Sequence, residues 1–96
     1  MMGKRGELTR RIEDLSKSLL GYEMGLTEFR LMPYILYVMV NEQRIDPNKI
    51  NADERDILAR WRQAGYIEGG ASGLNITENF WNILCKIVFA GYVDIA

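Results

Sequence analysis

Apolar positions fall into blocks whose spacing changes along the chain. Leu8, Ile12, Leu15 and Leu19 are four, three and four residues apart, the spacing that lines one face of an α-helix. Arg10, Arg11, Glu13, Asp14 and Lys17 fall on the other faces. The pattern predicts an amphipathic helix from Glu7 to about Leu20, ended by Gly21, with residues 1–6 frayed. From Tyr34 to Val40 every residue is apolar. A helix apolar all round is covered on several sides, so this one is expected to be the hub of the core. Pro33 suits the first turn of a helix and not its interior. The expectation is therefore a turn over residues 27–32 with Thr27 as a cap, then the main helix from about Met32 to Gln43. Arg44-Ile45-Asp46 reads as a short extended segment able to pair with a later hairpin. Pro47 opens a short turn over Asn48-Lys49-Ile50.

Asn51 followed three residues later by Glu54 resembles a capping box, with Asn in place of the usual Ser or Thr. Asp53 and Glu54 also suit the positive end of a helix dipole. Ile57, Leu58 and Trp61 mark the inner face of this helix, which runs to about Ala64. Gly65 then supplies the left-handed residue that closes a helix. Tyr66-Ile67-Glu68 and Leu74-Asn75-Ile76 are short β-favouring runs. Gly69-Gly70-Ala71-Ser72-Gly73 lies between them and reads as a loose five-residue hairpin tip.

Thr77 is placed to cap a last helix from Glu78 to about Ala90. Phe80, Trp81, Ile83, Leu84, Ile87, Val88 and Phe89 make it too apolar for a helix buried on one side only. Either the first helix covers its second face, or another chain does. Gly91 is expected to end it, with Tyr92-Val93-Asp94-Ile95 as a terminal extended segment. The first helix is open to the same two readings. It packs on its own domain, or Leu8, Ile12, Leu15, Leu19, Trp81 and Val88 form an oligomer interface.

Length and composition narrow the class. The 96 residues fit one domain. With 48% hydrophobic and 26% charged residues, the chain is expected to fold and not to remain disordered. No apolar run approaches the roughly 18 residues of a spanning helix, and the N-terminus lacks an apolar signal region. Cys85 is the only cysteine, so no intrachain disulfide can form. These features suit a reducing cytoplasm and no membrane partner. The net charge of −1 counts against a dedicated nucleic-acid binder, although a local basic patch can suffice.

Catalytic chemistry is not legible. There is no His, and one Cys cannot build a structural zinc site. No Ser sits in a nucleophile elbow. The Gly69–Gly73 stretch lacks both the Lys-Ser/Thr of a phosphate loop and the spacing of a dinucleotide fingerprint. Asp53, Glu54 and Asp56 lack the spacing of a calcium loop. The expectation is a non-enzyme with no cofactor, no metal and no small-molecule ligand.

The order of elements is helix, short extended segment, turn, helix, hairpin, helix. Leu-Ala-Arg-Trp-Arg-Gln-Ala-Gly-Tyr-Ile (58–67) precedes the hairpin and Leu-Asn-Ile-Thr (74–77) closes it. Over about residues 27–90 this resembles winged-helix proteins, most of all bacterial repressors of the multiple-antibiotic-resistance-regulator type. The resemblance implies a mainly α fold with a small β-hairpin, a winged-helix-like domain carrying an extra N-terminal helix. It further implies a small DNA-binding transcriptional regulator, working as a dimer. The Asn51–Ala64 helix would be the recognition helix, with Arg55 and Arg62 reaching bases or phosphates and Lys49 and Arg44 adding phosphate contacts. Gly69, Gly70, Ser72 and Gly73 would form the wing tip along the DNA.

Three features depart from that pattern. Only Pro47 to Ile50 is available for the helix preceding the recognition helix. The recognition helix opens with Asp53, Glu54 and Asp56, which phosphates repel. The wing tip has no Lys or Arg, and Glu68 lies beside it. Arg55, Arg60 and Arg62 can equally form a solvated face paired with Asp and Glu. The alternative function is a winged-helix module for protein interaction or self-assembly, without DNA binding.

Overall fold

A computed structural model of the chain describes residues 7–93. They form four α-helices and a two-stranded antiparallel hairpin: α1 (Arg10–Leu20), α2 (Leu26–Asn41), a 3-10 turn (Pro47–Lys49), α3 (Ala52–Gln63), β1 (Ile67–Gly70), β2 (Gly73–Ile76), α4 (Glu78–Val88) and a π-helical turn (Phe89–Val93). The mainly helical class with a small hairpin is the one the sequence predicts. No helix among the described residues is long and apolar enough to cross a membrane.

Thr9 caps α1 by accepting a hydrogen bond from the Ile12 amide at 3.3 Å, so the helix starts at Arg10 and not at Glu7. Gly21, at φ +88°, closes it. The apolar stripe faces inward. Ile12 is only 2% exposed, and Leu8, Leu15 and Leu19 are half-buried against the same core. The helix packs on α4 and so supplies the cover that the second face of α4 needs. Ile12 is therefore a core residue of its own chain, which corrects its place in an oligomer interface. Trp81 and Val88 on α4 are half-buried.

α2 overturns the expected boundary at Met32. It begins at Leu26, after Gly25 and with no side-chain cap, and Pro33 lies inside it. Thr27 is thus a helical residue and not the cap. A proline in a helix interior costs about 3 kcal/mol. Phe29, Leu31 and Met32, all ahead of Pro33, are completely buried. Each contributes about 1.5–3 kcal/mol on burial, so their packing outweighs the proline.

The 44–46 segment runs beside the hairpin as expected, without forming a third strand. Two backbone bonds fasten the chain there: Leu74 N–H to the Gln43 carbonyl at 2.8 Å and Ile45 N–H to the Gly70 carbonyl at 2.9 Å. The capping box of α3 is present, with Asn51 and Glu54 each accepting from the other's amide. Gly65, at φ +80°, follows the helix. The hairpin tip is tighter than its composition suggests. Gly70 pairs with Gly73, leaving only Ala71 and Ser72 as the loop. A side chain at Gly69 would collide with the Gly73 carbonyl, so the close approach of the strands requires glycine.

Thr77 caps α4 as expected, accepting from the Phe80 amide at 3.2 Å. Gly91 does not end the helical run. It lies inside the π-helical turn, buried against the ring of Phe29, where a Cβ would have no room. Tyr92 packs on Phe29 with ring centroids 5.2 Å apart. This packing holds Tyr92 and Val93 in the turn and not in the extended segment expected; residues 94–95 lie outside the described residues. Phe80 joins α3 to α4, edge-on to Trp61 at 4.9 Å and stacked on Tyr66 at 4.6 Å.

Candidate nucleic-acid interface

The four candidate cations Arg44, Lys49, Arg55 and Arg62 are all exposed. The two on α3 are held in place. An Arg55 guanidinium N–H donates to the Pro47 carbonyl at 3.2 Å, and the Arg62 Nε–H donates to the Gly69 carbonyl at 2.8 Å. The solvated-face reading expected carboxylate partners for these arginines; the bonds they make run instead to main-chain carbonyls on neighbouring elements. A guanidinium carries five N–H donors, so one carbonyl bond fixes its position and leaves the others to meet an anion.

These two arginines border a common cleft between the 3-10 turn, α3 and the hairpin. Its volume is about 210 Å³, and Ile45, Ile50 and Leu58 form its apolar lining, with Pro47 and Ala71. Arg44 lines an adjoining hollow of about 170 Å³ with Glu42, Ile45, Asp46, Pro47 and Ala71. Both hollows share Ile45, Pro47 and Ala71, so the fold gathers Arg44, Arg55 and Arg62 around one spot. Lys49 stands on the adjacent 3-10 turn and lines neither hollow.

The front of α3 has the opposite charge. Asp53 and Asp56 are exposed. Glu54 accepts from the Asn51 amide at 2.9 Å, and the Asn51 side chain accepts from the Glu54 amide at 2.8 Å. Asp46 is occupied by the Asn48 amide at 2.9 Å. At the hairpin tip Gly69 and Ser72 are exposed and Gly73 is half-exposed. Gly70 is buried, with the Arg62 guanidinium so close that a Cβ would lie 2.8 Å from Nη2. Gly70 is thus covered by the protein itself, contrary to its expected place on a contacting tip.

The pattern of charges missed one residue. Glu28 is 2% exposed. Its Oε2 accepts from the Trp61 indole N–H at 2.8 Å and from the Tyr22 hydroxyl, while Oε1 lies 3.8 Å from the Arg60 guanidinium. Arg60 is therefore directed at Glu28 and away from the cleft. Burial, and then the hydrogen bond and negative charge of Glu28, push the Tyr22 hydroxyl pKa well up. The signal was the position of Glu28, three, four and seven residues before the apolar Leu31, Met32 and Ile35. A helix that starts at Met32 leaves Glu28 outside this pattern, whereas α2 starts at Leu26. No cluster of metal-binding side chains occurs among the described residues.

Compared with protein-family models, curated proteins and solved structures, the chain matches none.

Proposed function

We propose that this chain is a cytoplasmic winged-helix DNA-binding module of the kind used in small transcriptional regulators, docking on duplex DNA through the cleft between α3 and the hairpin. The observation that carries the reading is the gathering of Arg44, Arg55 and Arg62 around Pro47 and Ala71. Three arginines in a small area, two of them held by main-chain carbonyls, outnumber the Glu42 and Asp46 carboxylates beside Arg44 on a chain of net charge −1, and phosphate neutralisation supplies most of non-specific DNA affinity. The apolar lining beneath them suits the sugar face of a strand. The test is fluorescence anisotropy with a labelled random-sequence duplex at low and at physiological salt. Binding that weakens steeply with salt supports the reading; an unchanged anisotropy at low salt removes it.

A second reading, a protein-interaction or self-assembly module, has its own observation. Tyr37 and Val40 on α2 are 54% and 71% exposed, and Phe89 and Val93 are 55% and 63% exposed. In this reading Tyr37 and Val40, and Phe89 and Val93, each near-neighbours on a helical surface, dock on a second copy or another protein. The duplex titration distinguishes the two, because both readings allow a dimer and only the first requires binding to DNA at low salt.

A further inference from the structure

Resting on the DNA-binding reading above, we infer that the cleft holds duplex DNA through its phosphates alone and that binding is independent of base sequence.

A helix that reads bases does so with the side chains at its front, lying in the major groove. The usual readers there are hydrogen-bond donors: Arg or Lys to guanine, Asn or Gln to adenine. The front of α3 offers none in a position to do this. Asn51 and Glu54 are committed to each other through the capping box. Arg55 is held by the Pro47 carbonyl at the wall of the cleft, where its remaining donors meet a phosphate and not a base edge. What remains outward is Asp53 and Asp56, two carboxylates that the phosphates on either side of a groove repel. The capping box also satisfies amides that would otherwise attract an anion to this end of the helix.

The other cations border the same cleft or its edge. Arg62 is in the last turn of α3, and Arg44 and Lys49 lie on the link and 3-10 turn that flank the cleft. The hairpin loop is Ala71 and Ser72, with no long side chain to enter a minor groove. The duplex therefore lies along the cleft from the 3-10 turn to the hairpin base, with its phosphates on these cations. Contacts of this kind set position and affinity and carry no sequence information. Four cations on phosphates give a slope of log affinity against log salt of about −3.6, at about −0.9 per phosphate.

The experiment uses the intact chain and a pool of randomised duplexes at low salt, with bound and unbound fractions sequenced, alongside a salt titration by anisotropy. The expected result is binding without an enriched motif and a slope between about −3 and −4. Arg44→Ala and Lys49→Ala, at exposed positions away from the core, each reduce the slope by about one, equally on all sequences. An enriched motif overturns the inference and leaves the DNA-binding reading standing. A cytosine opposite Asp53 or Asp56 is the form such a motif would take, since a carboxylate accepts from cytosine N4. Failure to bind any duplex at low salt removes the DNA-binding reading itself, and the inference with it.

Discussion

The indole N–H of Trp61 donates to the Glu28 carboxylate at 2.8 Å, across 33 residues of sequence, with the two residues 1% and 2% exposed. This bond ties α2 to α3 at the base of the helix that carries Arg55 and Arg62. Glu28 also serves Tyr22 in the connector before α2, so one carboxylate fastens three parts of the chain.

Replacing Glu28 by Ala strands the buried Trp61 indole and the half-buried Tyr22 hydroxyl. Leaving a buried polar group unpaired costs about 1–3 kcal/mol, so Glu28→Ala is expected to lose about 2–5 kcal/mol in urea denaturation. Glu28→Gln keeps an acceptor oxygen and should lose less than half of that. Equal losses in the two variants would show that the bond to Trp61 is not what matters.

Tyr22 gives a pH signature. Its pKa is raised in the folded state from an ordinary 10.0, chiefly by burial and then by Glu28. The folded protein therefore prefers the protonated hydroxyl. Its contribution to stability is complete below pH 10 and declines above it, as the unfolded chain ionises first and the folded one does not. In an absorbance titration Tyr22 should ionise above the ordinary tyrosine range. Tyr22→Phe should flatten the loss of stability above pH 10. An unaltered alkaline limb in that variant would contradict this assignment.

Two hairpin glycines should respond differently to alanine. At Gly70 the new Cβ meets the tip of the Arg62 side chain at 2.8 Å, and a flexible side chain can move aside. At Gly69 it meets the backbone carbonyl of Gly73 at a φ of +80°, and neither can yield. Gly70→Ala is expected to cost about 1 kcal/mol and Gly69→Ala about 2–3 kcal/mol. For a chain of this size, 1 kcal/mol is about 4–8 °C of melting temperature, so calorimetry resolves the order. The reverse order would mean that the tip is not built on Gly69.

The stripe on α1 should behave as core. Ile12→Ala is expected to lose about 2–5 kcal/mol with no change of mass in solution. Tyr37→Glu should leave stability within about 0.5 kcal/mol, because that side chain is exposed. If Ile12→Ala shifted oligomeric state and spared stability, the packing of α1 on its own chain would be wrong.

Tyr34 offers the opposite sign. Its hydroxyl is buried and has no hydrogen-bond partner among the described residues. Tyr34→Phe removes an unsatisfied group and keeps the ring, so melting temperature should stay level or rise by the equivalent of about 1 kcal/mol. A clear fall would reveal a partner for the hydroxyl.

The features legible in the sequence were the local ones. Asn51 with Glu54, Thr77, Gly21 and Gly65 act on amides or backbone angles within a few residues, and each is where its neighbours suggest. The misread features depend on distant partners. Pro33 looked like a helix start because its local cost is visible, whereas the burial of Phe29 beneath Gly91 and Tyr92 is not. The glycine-rich tip looked loose because the bonds that fasten it come from Gln43 and Ile45. Helical spacing put Arg55 and Arg62 on one side of α3, but their hooks onto the carbonyls of Pro47 and Gly69 lie on other elements. Glu28 needed Tyr22, Arg60 and Trp61 before its burial made sense.

The bond from Arg62 to the Gly69 carbonyl has a thermodynamic corollary. The same guanidinium that faces outward also clasps the hairpin, so occupancy and hairpin order are linked quantities. An anion that draws Arg62 off the carbonyl loosens the strands. By reciprocity, any change that rigidifies the hairpin through that carbonyl weakens the hold on such an anion by the same factor. An anion that binds with the clasp intact leaves hairpin exchange unchanged or slower. Amide exchange at the strands therefore reports which of the two ways the arginine is used.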